Sequence, residues 1–263
     1  MALRDAQRLA AVLRELAVEG RPCGSGWMAW DGVGSWADYA AGLGDPAEPF
    51  VDADLDDLLD FYALFGQRAV IQVTPYDHAG LLGGLAGRGF VPQELVNVLV
   101  HGGDDLRAAP ATDLTFRPVD PADAASLSAF VDAQLIGFHG AVDAAPPGLV
   151  PITRRVPAVD RVRCWVVEDD GAPVGSCGLE FWEDSAVLIA GSVFPSARRR
   201  GVHQAMLRFR LAWAFEAGAR YCLIGSAAGG PTERNALRLG FRPAYTVLDL
   251  RGPAPPSPHP APA

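Results

Sequence analysis

Apolar positions along this chain follow two periods, one near 3.6 residues and one near 2, and the two take turns. The opening stretch MALRDAQRLAAVLREL has the helical period. A Gly- and Trp-rich run follows, read as turns around a short strand at Trp27 to Trp30. Asp54 to Phe65 puts Leu55, Leu58, Leu59, Tyr62 and Phe65 on one helical face. Ala69 to Thr74 reads as a strand, His78 to Gly87 as a helix and Leu95 to Val100 as a strand. A second series begins with a strand at Leu114 to Val119. Asp120-Pro121 predicts a helix start, with Asp120 as N-cap and the helix running from Ala122 to about Leu135. Gly137 to Pro157 is expected to be irregular. Strands are expected at Val162 to Glu168, Val174 to Trp182 and Tyr221 to Gly225, a helix from a Thr232 cap to Leu239, and a last strand at Thr246 to Leu250.

The stretch from Ala186 to Ala217 organises the second series. It starts as a buried apolar strand and ends as a helix, with Val202, Ala205, Met206, Phe209, Trp213 and Ala217 expected on one face. Between them lies a turn with Pro195, Arg198, Arg199, Arg200 and Gly201. Such a turn offers free backbone N–H groups at the positive end of a helix, which suits an anion, phosphate above all. The three arginines add charge beside it.

Val193-Phe194-Pro195-Ser196-Ala197-Arg198-Arg199-Arg200-Gly201-Val202-His203 resembles the acyl-CoA signature of the GNAT N-acyltransferases. Arg198 and Gly201 fall on its Arg-x-x-Gly pattern, and His203 stands where a small residue is usual. Leu239-Gly240-Phe241 resembles the second landmark, a helix ending in Gly-Phe before the final strand. The resemblance spans roughly residues 112–250. It implies an acetyl-CoA site built from Val193, Phe194, Pro195, Arg198, Arg199, Arg200, Gly201, Val202, His203 and Gln204, with Asn235 either at CoA or capping a turn. It also implies that a backbone N–H near Val193 bonds the thioester oxygen. The position of the tyrosine that commonly protonates the leaving thiolate is held by Ala236.

Composition narrows the functions. The 22 basic residues are all arginine, so neither a P-loop nor a pyridoxal Schiff base is available. A net charge of −9 argues against general nucleic-acid binding. Residues 1–110 hold 16 acidic and 7 basic residues, while residues 111–263 hold 15 of each. That asymmetry, with the linker-like GGDDLRAAPAT, predicts two units, 1–108 and 112–251, before a proline-rich, disordered tail at 252–263. Arg88-Gly89-Phe90-Val91-Pro92 echoes Leu239-Gly240-Phe241-Arg242-Pro243, so the first unit reads as a degenerate copy of the second. The fold expected is α/β, two GNAT-like units, each a mixed, mostly antiparallel sheet flanked by helices. Asp52, Asp54, Asp56 and Asp57 read as a helix-capping acidic turn rather than a metal cluster. Four scattered cysteines, no signal-peptide pattern and no membrane-length apolar run point to the cytoplasm, without zinc or another metal.

Acyl transfer to an amine needs a base for the amine proton. The candidates are Glu180, on the strand beside the organising strand, His139, in the segment that shapes the acceptor pocket in the family, and His203. Alternation puts Ser176, Gly178 and Glu180 on the face opposite Cys177, Leu179 and Phe181, toward a cleft or toward water. The function expected is acetyl transfer from acetyl-CoA to an amine of a small molecule, as a monomer or an oligomer. A non-catalytic acyl-CoA sensor and a protein-amine acetyltransferase are the alternatives.

Overall fold

The computed structural model describes residues 1–48, 51–104 and 113–255. The chain divides into two compact units, 1–32, 36–96 and 246–263 forming one, and 33–35 and 97–245 the other. Most of the expected linker and most of the proline-rich tail lie outside the described residues. The end of the last strand, from Thr246, groups with the first unit.

In the first unit, α1 (Ala2–Leu16) precedes a hairpin of β1 (Glu19–Cys23) and β2 (Gly26–Trp30). The sequence had suggested β2 but not β1, whose residues are almost all exposed and carry no apolar alternation. Next come β3 (Ala40–Ala41), α2 (Ala53–Ala63), β4 (Val70–Val73), α3 (Ala79–Gly87) and β5 (Val91–His101), whose second half from Asn97 belongs to the second unit. Strand order is β1-β2-β3-β4, followed by the end of β11 (Arg242–Arg251). Among the described pairings β3–β4 is parallel and β1–β2, β2–β3 and β4–β11 are antiparallel. Leu55, Leu58 and Tyr62 of α2 pack with Ile71, Val73, Leu81, Leu85, Phe90 and Leu250. The acidic turn is an ion-pair site: Asp52 and Asp56 both hold Arg88, at 3.0 and 2.6 Å.

The second unit contains β6 (Leu114–Pro118), α4 (Ala124–His139), α5 (Leu149–Arg155), β7 (Val162–Asp169), β8 (Ala172–Trp182), β9 (Ser185–Val193), α6 (Val202–Glu216), β10 (Tyr221–Ala227) and α7 (Pro231–Arg238). Strand order is β5-β10-β9-β8-β7-β6; β6 to β9 pair antiparallel and β9–β10 parallel. Both units are thus mixed, mostly antiparallel sheets flanked by helices, as the pattern predicts.

Three local expectations are corrected. The cap of α4 is Asp123, whose carboxylate accepts from Ala125 and Ser126 N–H, while Asp120 accepts from Ala122 ahead of the helix. The helix runs on through Gly137 to His139, and the segment expected to be irregular also contains α5. The buried stripe of α6 is Val202, Met206, Leu207, Arg210, Leu211 and Ala214. Phe209 and Trp213 sit at its margin, where Phe209 stacks on Phe116 at 3.9 Å. Aromatic bulk drew the sequence-based stripe toward that margin, and a charge at 210 hid the true centre.

Helices α3 and α7 end alike. Phe90 N–H bonds Leu85 O and Phe241 N–H bonds Ala236 O, with Gly89 and Gly240 left-handed at φ 77° and 91°. This is the helix-ending turn in which a glycine supplies the positive φ. The Gly-Phe repeat is therefore a repeated piece of backbone as well as a repeated string.

Candidate functional site

The sheet of the second unit opens where its parallel pair separates. The β9–β10 ladder runs from Tyr221↔Ser185 only to Leu223↔Val187. Both strands continue, β9 to Val193 and β10 to Ala227. Beside the opening the β8–β9 register shifts between Ser176 and Gly178, so Cys177 faces both Ala190 and Gly191. Ala190 takes φ 50°, a left-handed value uncommon outside glycine. This is a β-bulge, a device that bends a strand and detaches carbonyls from the ladder.

Two buried polar side chains collect those carbonyls from opposite faces. On the α4 side, Gln134 Nε2 donates to Ala190 O and Ser176 Oγ, both at 2.5 Å, and Ser192 Oγ donates to Ala133 O at 2.9 Å. On the α6 side, Arg210 Nη1 donates to Gly178 O at 3.2 Å and Ile189 O at 3.0 Å, while its Nε donates to Met206 O. A buried carbonyl left without a partner costs about 1–3 kcal/mol. Gln134 and Arg210 thus decide whether the bulge is affordable. Sequence reading passed over both; a lone charge inside the stripe of Leu207, Leu211 and Ala214 was the available signal.

After β9, Pro195–Ala197 makes a short 3-10 turn and the chain swings into α6. Arg199 and Gly201 are both left-handed, at φ 62° and 83°. Left-handed residues in a turn gather N–H groups into an anion-binding concavity, and the first N–H groups of α6 have no acceptor within their own helix. A non-glycine residue held left-handed costs about 1–3 kcal/mol, and such strain gathers at functional sites. Arg198 Nη2 donates to Gly137 O at 2.9 Å and its Nε reaches Val193 O, tying this turn to the end of α4. Arg200 pairs with Asp169 at 2.6 Å.

The structure brings His203 and Asn235 together. Arg238 Nη1 donates to Asn235 Oδ1 at 3.1 Å, which assigns the amide so that Asn235 Nδ2 donates to His203 Nδ1. His203 then carries its proton on Nε2. Burial first, and Arg210 second, push its pKa down to about 4. The imidazole is thus neutral and engaged by α7. Ala236 lies in the core.

Glu180 and His139 are placed apart. Glu180 is 2% exposed and accepts from Arg161 Nε at 2.9 Å; it does not face water. It stands two residues along β8 from Gly178, about 7 Å. His139 is exposed on the last turn of α4, two residues beyond the carbonyl that Arg198 holds.

Residues 151–241 match the model of the acetyltransferase (GNAT) family. The match includes the opening, the bulge, the arginine turn and the Gly-Phe turn. No curated protein matches the chain. Among solved structures, a GCN5-related N-acetyltransferase from Kribbella flavida superposes with a TM-score of 0.69 at 19% identity, over 96% of each chain. A tandem GNAT protein from the clavulanic acid biosynthesis pathway gives 0.59 at 16% identity, over 97% of this chain and 94% of its own. A GNAT-family acetyltransferase from Novosphingobium aromaticivorans gives 0.57 at 16% identity, over 94% and 97%. The GNAT fold therefore extends beyond the matched domain. No described helix is long and apolar enough to cross a membrane.

Proposed function

We propose that the second unit transfers an acyl group, acetyl above all, from acyl-CoA to an amine of a small molecule. One observation carries this reading: the β9–β10 ladder opens directly beside a left-handed turn at a helix N-terminus. An extended pantetheine arm ending in a pyrophosphate asks for that combination, a slot with free strand backbone and an anion cradle next to it. Val193, Phe194 and Pro195 would line the slot. Arg198 to Gln204 would hold the phosphates, chiefly through backbone N–H groups, and Asn235 would act by keeping His203 turned aside.

Bound acyl-CoA supplies an activated acyl carbon. The chain's own contribution begins with backbone N–H groups, near Val193, that orient the carbonyl. The amine proton goes to a base, for which Glu180 and His139 remain the candidates. Glu180 stands two residues along β8 from the bulge, and its bond from Arg161 fixes its carboxylate in place. The chain's net charge of −9 would favour a cationic amine over an anionic acceptor. The absence of a hydroxyl at Ala236 favours a second reading, an acyl-CoA sensor without turnover.

Labelled acetyl-CoA incubated with a panel of small amines and with peptides separates these readings. Acetylated small amine is the expected product. Tight binding with no product supports the sensor, and acetylated peptide alone moves the acceptor to proteins.

A further inference from the structure

Arg210 is fully buried, and its charge is unmatched. It is 1% exposed, and among the described residues it takes part in no ion pair. Nε and Nη1 are used on carbonyls, but Nη2 is buried with no hydrogen-bond partner. A buried charge lacking a counter-ion costs several kcal/mol, more than holding a bulge requires, since a neutral amide does that task from α4. The guanidinium lies under Gly191: a Cβ built there would stand 3.4 Å from Nη2. Gly191 is half-buried and four residues past Val187, where β9 has already left β10. With no side chain at 191, the charge faces the open stretch of strand.

We propose that Arg210 stabilises the CoA thiolate as it leaves, in place of the proton donor that Ala236 cannot be. The inference rests on the acyl-CoA reading above. In the step, the amine nitrogen bonds the acyl carbon, the carbon–sulfur bond breaks, and both its electrons go to sulfur. The ammonium proton passes to the base, not to sulfur. Guanidinium does not give up its proton, so its help is electrostatic, and a charge acts strongly through a low-dielectric interior. The assignment also explains why this domain can do without a hydroxyl at position 236.

The groups around Arg210 leave the experiment clear. Burial pushes the Cys177 thiol of β8 up to about 11 and the Cys222 thiol of β10 up to about 12, and His203 of α6 down to about 4. Between about pH 5 and 10 these three groups change charge little, so they leave the titration of the bound CoA thiol undisturbed.

Thiolate absorbance of CoA bound to the whole protein, followed against pH, is the test. The bound thiol is expected to ionise at least one unit, tenfold, more readily than an ordinary thiol near 8.5. Arg210→Gln should remove that shift and Arg210→Lys should keep most of it. Should Arg210→Gln fail to fold, the wild-type and Arg210→Lys titrations decide. An unshifted thiol in the wild type, a shift that survives Arg210→Gln, or one that disappears in Arg210→Lys overturns the proposal and leaves acyl-CoA binding standing. Failure of CoA to bind at all removes the acyl-CoA reading and this inference with it.

Discussion

His203 is the residue whose environment departs furthest from its chemistry in water. Its folded-state pKa of about 4 lies below the unfolded value near 6.5. The folded protein therefore binds this proton more weakly than the unfolded chain. The associated stability is complete above pH 6.5 and is lost as the pH falls toward 4, about 3 kcal/mol in all. Urea unfolding at several pH values should show a steeper acid loss for the wild type than for His203→Gln. Equal slopes would mean that the imidazole is not held neutral. The sequence marked His203 as a departure in a phosphate turn but was silent on its direction. That direction comes from Asn235 and Arg238, 32 and more residues away, and no local pattern encodes such a partner. Glu180 teaches the same lesson: alternation put it opposite Cys177 and Leu179, yet only the fold supplies Arg161 and buries the carboxylate.

At the scale of elements, the unit β9–turn–α6 was legible because each part has a local cause. An apolar β-prone run, a proline, a glycine required at positive φ and a helical period stand in the order that the backbone follows. Segment 137–157 was not legible, because α5 is short and its burial is set by contact with α4. The close seat of α4 on β9 was invisible too. It depends on Gly137, where a Cβ would lie 2.5 Å from Ser192 Cβ and 3.1 Å from Val193 N. Gly137→Ala should gain about 1 kcal/mol of helix propensity yet lose more by forcing the helix off the strand, about 1–3 kcal/mol. Thermal unfolding should report net destabilisation, and CoA affinity should weaken because Ser192 and Val193 move. A stabilised variant would contradict this packing.

At the scale of the molecule, two units repeat one plan, a mixed sheet with a parallel pair and a helix that ends in Gly-Phe. Among the described residues only the second combines a left-handed arginine turn with a long helix behind it, so the chain should hold one CoA. Charge asymmetry suggests a boundary near residues 102–112, whereas contacts begin the second unit at Asn97 and group the end of the last strand with the first, a matter of contacts far apart in sequence. Calorimetric titration of acetyl-CoA into the wild type and Gly201→Asp tests the central claim most directly. A Cβ at 201 meets no atom within 4 Å, and aspartate tolerates a left-handed backbone better than most residues, so the variant should fold. Its carboxylate would stand where a phosphate is to bind. The account predicts one site per chain in the wild type and at least a tenfold loss of affinity in the variant, about 1.4 kcal/mol. Two sites, or an affinity that ignores the new carboxylate, would contradict it.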